Sequence, residues 1–166
     1  VSATQSQPAK ARDRIAAMSA LGLGGAAFVL GVAAMSSAPR AQAAPKPYAA
    51  QCQSCHKADG SGTPGVFPRL SGRLAGAAGT SDGRKWLAAV VLHGQSGPIT
   101  VDGKPIRAAM PGFKRLPDAE LAATLNWVAK GGKPFTPGEI AAVRAEGAVS
   151  AAQVGEMRKG IAGQLK

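Results

Sequence analysis

The residues best suited to chemistry in this chain are Cys52, Cys55 and His56, within the run Cys52-Gln53-Ser54-Cys55-His56. The chain has 2 cysteines and 2 histidines in all, which excludes a disulfide framework and makes the cysteine pair a site. Two thiols at this spacing can each add across a vinyl group of a porphyrin. An imidazole directly after the second thiol then sits beneath the iron as an axial ligand. Two other chemistries use the same residue types. A dithiol redox pair needs a strand–helix setting, whereas Cys52 follows a Pro-rich lead-in with no strand before it. Zinc would need four ligands, and Cys52, Cys55, His56 and His93 would be the entire supply, with His56 awkwardly close to Cys55. Covalent haem is the reading the spacing favours.

The second axial position separates a carrier from a catalyst, because iron with both positions filled passes electrons and iron with an open one binds small molecules. The candidates are His93 and the methionines. Met18 and Met35 lie in an apolar N-terminal segment and Met157 in the C-terminal tail, which leaves Met110 in Ala108-Ala109-Met110-Pro111-Gly112-Phe113. Methionine is commonly core packing, but a Met-Pro pair in a polar loop is poor core. His93 ends a helical pattern, where an imidazole can instead interact with the helix dipole.

Positioning these groups requires a scaffold, and the composition is meagre for one. Aromatic residues make up 4% of the 166, against 22 Gly and 12 Pro, so a bound group is expected to complete the core. The chain reads as one domain with additions. Residues 15–39 carry no charge, follow Lys10, Arg12 and Arg14, and precede Ala41-Gln42-Ala43. That order describes a signal peptide cut near Ala43, or an uncleaved membrane anchor through residues 15–35. Either carries the remainder across the membrane.

Beyond it, Tyr48 to Cys52 can form about one helical turn, and residues 57–80 read as a long loop. Asp82 can cap a helix over 83–92, and Val101-Asp102-Gly103-Lys104 looks like a tight turn. Asp118 and Glu120 open a helix with the stripe Leu121, Leu125 and Val128, ended by Gly131-Gly132. Thr136-x-x-Glu139 and Ser150-x-x-Gln153 are capping boxes that start two tail helices. The division is thus 1–43 as leader or anchor, 44–133 as the haem domain, and 134–166 as a helical extension packing on it.

Residues 48–130 resemble a class I cytochrome c. The resemblance rests on Cys52-x-x-Cys55-His56, Phe67-Pro68-x-Leu70, Val91-Leu92-His93-Gly94, Gly97-Pro98-Ile99-Thr100-Val101-x-Gly103, Met110-Pro111-x-Phe113 and Asp118-x-Glu120-Leu121-Ala122, in that order. It implies an all-α fold of about three core helices around one covalent haem c, with iron held by His56 and Met110. It also implies that the Pro68 carbonyl accepts a hydrogen bond from His56, that Leu70 packs on the haem, and that Trp127 takes an aromatic place on the last core helix. Pro117 departs from the pattern, standing where a capping Ser is frequent.

The resemblance is to small electron carriers and to cytochrome subunits of quinoprotein dehydrogenases and terminal oxidases. Expected partners are acidic redox proteins, such as a dehydrogenase, a bc-type complex or a terminal oxidase, met on the periplasmic side. The formal charge of +11 suits acidic partners, and its spread along the chain argues against nucleic acid. A subunit of a larger complex, or a haem enzyme with an open position, are the alternatives to a free carrier. Lys57, Arg69, Arg73, Lys104, Arg107, Lys114 and Arg115 are expected to frame the haem edge with positive charge.

Overall fold

The computed structural model describes residues 43–166 of the chain. The expected leader or anchor therefore lies outside the described residues, apart from Ala43. Among the described residues no helix is long and apolar enough to cross a membrane.

Seven α-helices are present in this region: α1 (Lys46–Gln51), α2 (Gln53–His56), α3 (Ala75–Ala78), α4 (Ser81–His93), α5 (Asp118–Val128), α6 (Pro137–Ala145) and α7 (Ala151–Gly160), followed by a 3-10 turn over Ala162–Gln164. Two two-stranded antiparallel sheets correct the all-α expectation: β1 (Gly94–Gln95) with β4 (Met110–Pro111), and β2 (Ile99–Val101) with β3 (Lys104–Ile106). The fold is mainly helical with small sheets. The β2–β3 hairpin follows from its turn. Asp102 (φ 49°) and Gly103 (φ 73°) both take the left-handed conformation, which suits the twist of a two-residue hairpin.

Helix α4 begins earlier than its sequence pattern indicates, because Thr80 rather than Asp82 caps it, its hydroxyl accepting from the Gly83 N–H at 3.1 Å. Its apolar face, including Trp86, Leu87 and Leu92, packs against α3, α5, α6 and α7. Helix α5 starts at Pro117, which lacks a capping side chain but whose carbonyl accepts from Glu120 and Leu121. Tyr48 of α1 and Trp127 of α5 meet with ring centroids 4.3 Å apart, joining the first helix to the last of the haem domain.

Both capping boxes form, at Thr136/Glu139 and Ser150/Gln153. The tail helices bury Ile140 and Val154 completely. Arg84 of α4 ties the tail down. It donates to the Ala78, Lys133 and Pro134 carbonyls, pairs with Glu139 at 2.7 Å, and lies 4.0 Å over the Phe135 ring. Such a cation with its donors filled is a stronger anchor than a solvated surface pair.

Candidate functional site

The helices and loops enclose one large cleft of about 1150 Å³, counting its open mouth. Cys52, Cys55, His56, Pro68, Leu70 and Met110 all line it. The chain places them there by local means. Pro47 is pre-set for the first turn of α1, and Cys52 caps that helix while its carbonyl accepts from the His56 N–H at 2.9 Å. Lys57 (φ 61°) stops α2 and turns the chain back, and its carbonyl accepts from the buried Tyr48 hydroxyl at 2.7 Å. Burial, with smaller contributions from Cys52 and Asp59, raises that hydroxyl's pKa to about 12, so it remains a donor.

The loop after α2 is closed by backbone bonds. Gly62 donates to the His56 carbonyl, Thr63 and Phe67 exchange two bonds, and Leu70 donates to the Gly60 carbonyl. The result is a rigid ring that presents the Pro68 carbonyl 2.9 Å from His56 Nδ1. A carbonyl only accepts, so Nδ1 carries the proton. Burial lowers the His56 pKa, opposed by this hydrogen bond, and the neutral ring keeps an Nε2 lone pair for a metal.

Met110 stands on a short strand where the sequence reading placed a loop. Its strand β4 pairs with β1 directly after α4, with Gln95 opposite Met110 and Gly94 opposite Pro111. Gly94 (φ 80°) allows a close approach that a Cβ would block by meeting the Met110 carbonyl. Phe113 then donates to the Val91 carbonyl at 2.8 Å. His93 does not line the cleft. Its pKa is lowered by burial and by Lys114 and Arg144, and its Nε2 is buried without a partner. Met157 packs on the core outside the cleft lining, and Met18 and Met35 lie outside the described residues.

The other walls are apolar, from Trp86, Leu87, Val90 and Val91 of α4, Leu125 and Val128 of α5, and Ile99 and Ile106 of the hairpin. A flat apolar macrocycle with one axial nitrogen and one axial thioether fits this donor set. Dithiol chemistry fits it poorly, since burial and the neighbouring Cys55 push the Cys52 thiol up to about 11, the reverse of an activated thiolate. Among the described residues no group of three or more metal-ligating His, Cys, Asp or Glu side chains occurs, and a zinc site would need one.

The expected basic rim is only partly free. Lys57, Lys104, Arg107, Lys114 and Arg115 are exposed, but Arg69 forms a two-pronged pair with Asp102 at 2.9 Å and Arg73 is buried. Sequence reasoning also missed Arg144 of α6, which donates to the Lys114 and Leu116 carbonyls and to Asp118, bracing the segment after Met110. Nothing in the spacing of charges marks a contact between residues so far apart in the chain.

A mainly helical shell around an apolar cleft, with one thiol capping and a second thiol and a histidine on the short helix α2 at its edge, defines a c-type haem protein. Residues 39–128 match the family model described as cytochrome C oxidase, cbb3-type, subunit III. Cytochrome c-552 of Thermus thermophilus is 41% identical over 106 residues, spanning 58% of this chain and 81% of that protein. A second cytochrome c-552 of the same species is also 41% identical over 106 residues, a match that covers 72% of its length. The cytochrome c subunit of the quinone alcohol dehydrogenase of Gluconobacter oxydans is 38% identical over 96 residues, 57% of this chain and 19% of that subunit. The chain belongs to the class I c-type cytochromes. It is a monohaem protein with covalently bound haem c that transfers single electrons, either as a carrier or as a subunit of a dehydrogenase or oxidase complex.

Proposed function

We propose that Cys52 and Cys55 form the two thioether links to the haem, that His56 and Met110 are the axial ligands, and that Pro68 and Leu70 orient and cover the site. The observation that carries this reading is the convergence of all six residues on one apolar cleft. When bound, the haem supplies a one-electron iron couple. The chain's part would be to hold the iron with the His56 imidazole and the Met110 thioether, to exclude water with the α4, α5 and hairpin walls, and to keep the His56 ring against the Pro68 carbonyl. Iron held by both residues would favour a free or complex-bound carrier over a haem enzyme. Residues 44–133 form the haem module and 134–166 an extension on it, with 1–43 as export signal or tether to the periplasmic face. The exposed lysines and arginines near the cleft suit an acidic redox partner. A subunit role is the second reading, favoured by the likeness to the dehydrogenase cytochrome subunit.

The test is made on protein matured with its haem. Denaturation and extraction with acidified organic solvent should leave the colour on the polypeptide. Met110→Ala should lower the potential and let the reduced protein bind carbon monoxide, while His93→Ala should do neither. The ligand assignment fails if the two variants behave the other way round.

A further inference from the structure

The walls of the cleft are largely apolar, yet a glutamine stands among them. Gln95 is 8% exposed and lines the cleft. It is held from three sides. Trp86 of α4 donates its indole N–H to Gln95 Oε1 at 2.9 Å, a bond buried at both ends. Helix α7 closes the second side, where Ser96 donates to the Ala151 carbonyl and a Cβ on Gly155 would stand 3.9 Å from Gln95 Cγ. The third side is strand β4, on which Met110 is the register partner of Gln95.

Two arguments fix what this amide can do. An indole N–H only donates, so the Gln95 oxygen must face Trp86 and its NH2 group must point the other way. Directly opposed residues of an antiparallel pair project to the same face, with Cβ atoms about 4.5–5.5 Å apart. Gln95 and Met110 both line the cleft, so the face they share is the cleft wall. The Gln95 nitrogen and the Met110 sulfur are each without a hydrogen-bond partner among the described residues. One is a donor whose burial is costly unless it is satisfied, and the other is a weak acceptor.

We propose that Gln95 is a positioning residue for the Met110 thioether: its amide N–H donates to the sulfur in the haem-loaded protein, and Trp86 sets the direction of the amide. The inference rests on the reading of Met110 as an axial ligand. Gln95 touches neither iron nor partner and acts through Met110 alone. A donor that draws on the sulfur lone pairs weakens their donation to iron, which costs the oxidised state more than the reduced one. The amide therefore raises the potential, and it holds the thioether in one orientation.

The experiment is a redox titration of the haem-loaded protein at several pH values, for wild type, Gln95→Leu, Trp86→Phe and the double variant. Leucine keeps the bulk and removes the amide, while phenylalanine keeps the aromatic wall and removes the N–H that turns the amide. Gln95→Leu should shift the reduced-to-oxidised ratio about threefold toward oxidised, about 28 mV at about 59 mV per tenfold for one electron. The shift should be the same at every pH, because a thioether does not titrate. Trp86→Phe should move the ratio the same way by less, and the double variant should match Gln95→Leu. A second measurement needs no variant. In the NMR spectrum of the reduced wild type, the Gln95 NH2 protons should show a nuclear Overhauser contact with the Met110 methyl group. Gln95→Leu at the wild-type potential, or an amide with no contact to that methyl, would overturn the proposal with haem and ligands intact. A shift that fades as the pH falls would overturn it too, because the amide would then serve a carboxylate. Shifts that add in the double variant would overturn the part given to Trp86. Reduced wild type that binds carbon monoxide as readily as Met110→Ala would instead sink the ligand reading.

Discussion

Replacing Gly62 by alanine should damage the haem site through the backbone alone. Gly62 has φ 65°, and a Cβ there would lie 2.6 Å from both the Phe67 and the Pro68 carbonyl oxygens. The left-handed conformation costs an alanine about 1–2 kcal/mol. The clash cannot be relieved by a rotamer change, because both neighbours are backbone, so the loop must open. Opening it draws the Pro68 carbonyl from its 2.9 Å contact with His56 Nδ1, at about 0.5–1.5 kcal/mol for the hydrogen bond. The total, about 1.5–3.5 kcal/mol, is a large part of the 5–15 kcal/mol typical of a domain. Gly65 is the control. It has φ 78° but open space where its Cβ would go, so Gly65→Ala should show the conformational term alone. Denaturant unfolding of the two haem-loaded variants measures the difference, expected to be about 0.5–1.5 kcal/mol. The potential gives a second reading. A weaker bond to Nδ1 makes the ligand less basic and oxidised iron less favoured, so Gly62→Ala should have the higher potential. Equal stabilities and equal potentials for the two variants would refute the argument.

Two more predictions concern the surface and the tail. Arg144→Met should leave haem attachment intact but free the segment after Met110, costing about 1–3 kcal/mol in denaturant unfolding and speeding carbon monoxide uptake by the reduced protein. Uptake at the wild-type rate would show that Arg144 braces only the tail. Reversing Lys104, Lys114 and Arg115 to Glu together should slow electron transfer to an acidic acceptor. It should also abolish the fall of rate with salt, since the Debye length shrinks from about 30 Å at 0.01 M to about 10 Å at 0.1 M. A triple variant with the wild-type rate and salt slope would remove the rim from docking.

Much of the chemistry was legible in the chain because it is local. Cys52, Cys55 and His56 are neighbours whose proposed roles are read from their spacing, both capping boxes are patterns of four residues, and the Asp102-Gly103 turn carries its own conformational preference. The placing of Met110 was legible only by elimination. Its strand pairing with Gly94–Gln95 was not, because two residues make too short a run to show a period. The tail is where tertiary structure decided most. As a sequence, residues 134–166 show two short helices with weak apolar faces. In the fold, Arg84 and Arg144 bind it to segments 26 to 55 residues away, and Arg158 and Leu165 of the tail line the cleft. Pairing between charges distant in sequence depends on how helices pack, and that packing is set by the summed burial of the whole core.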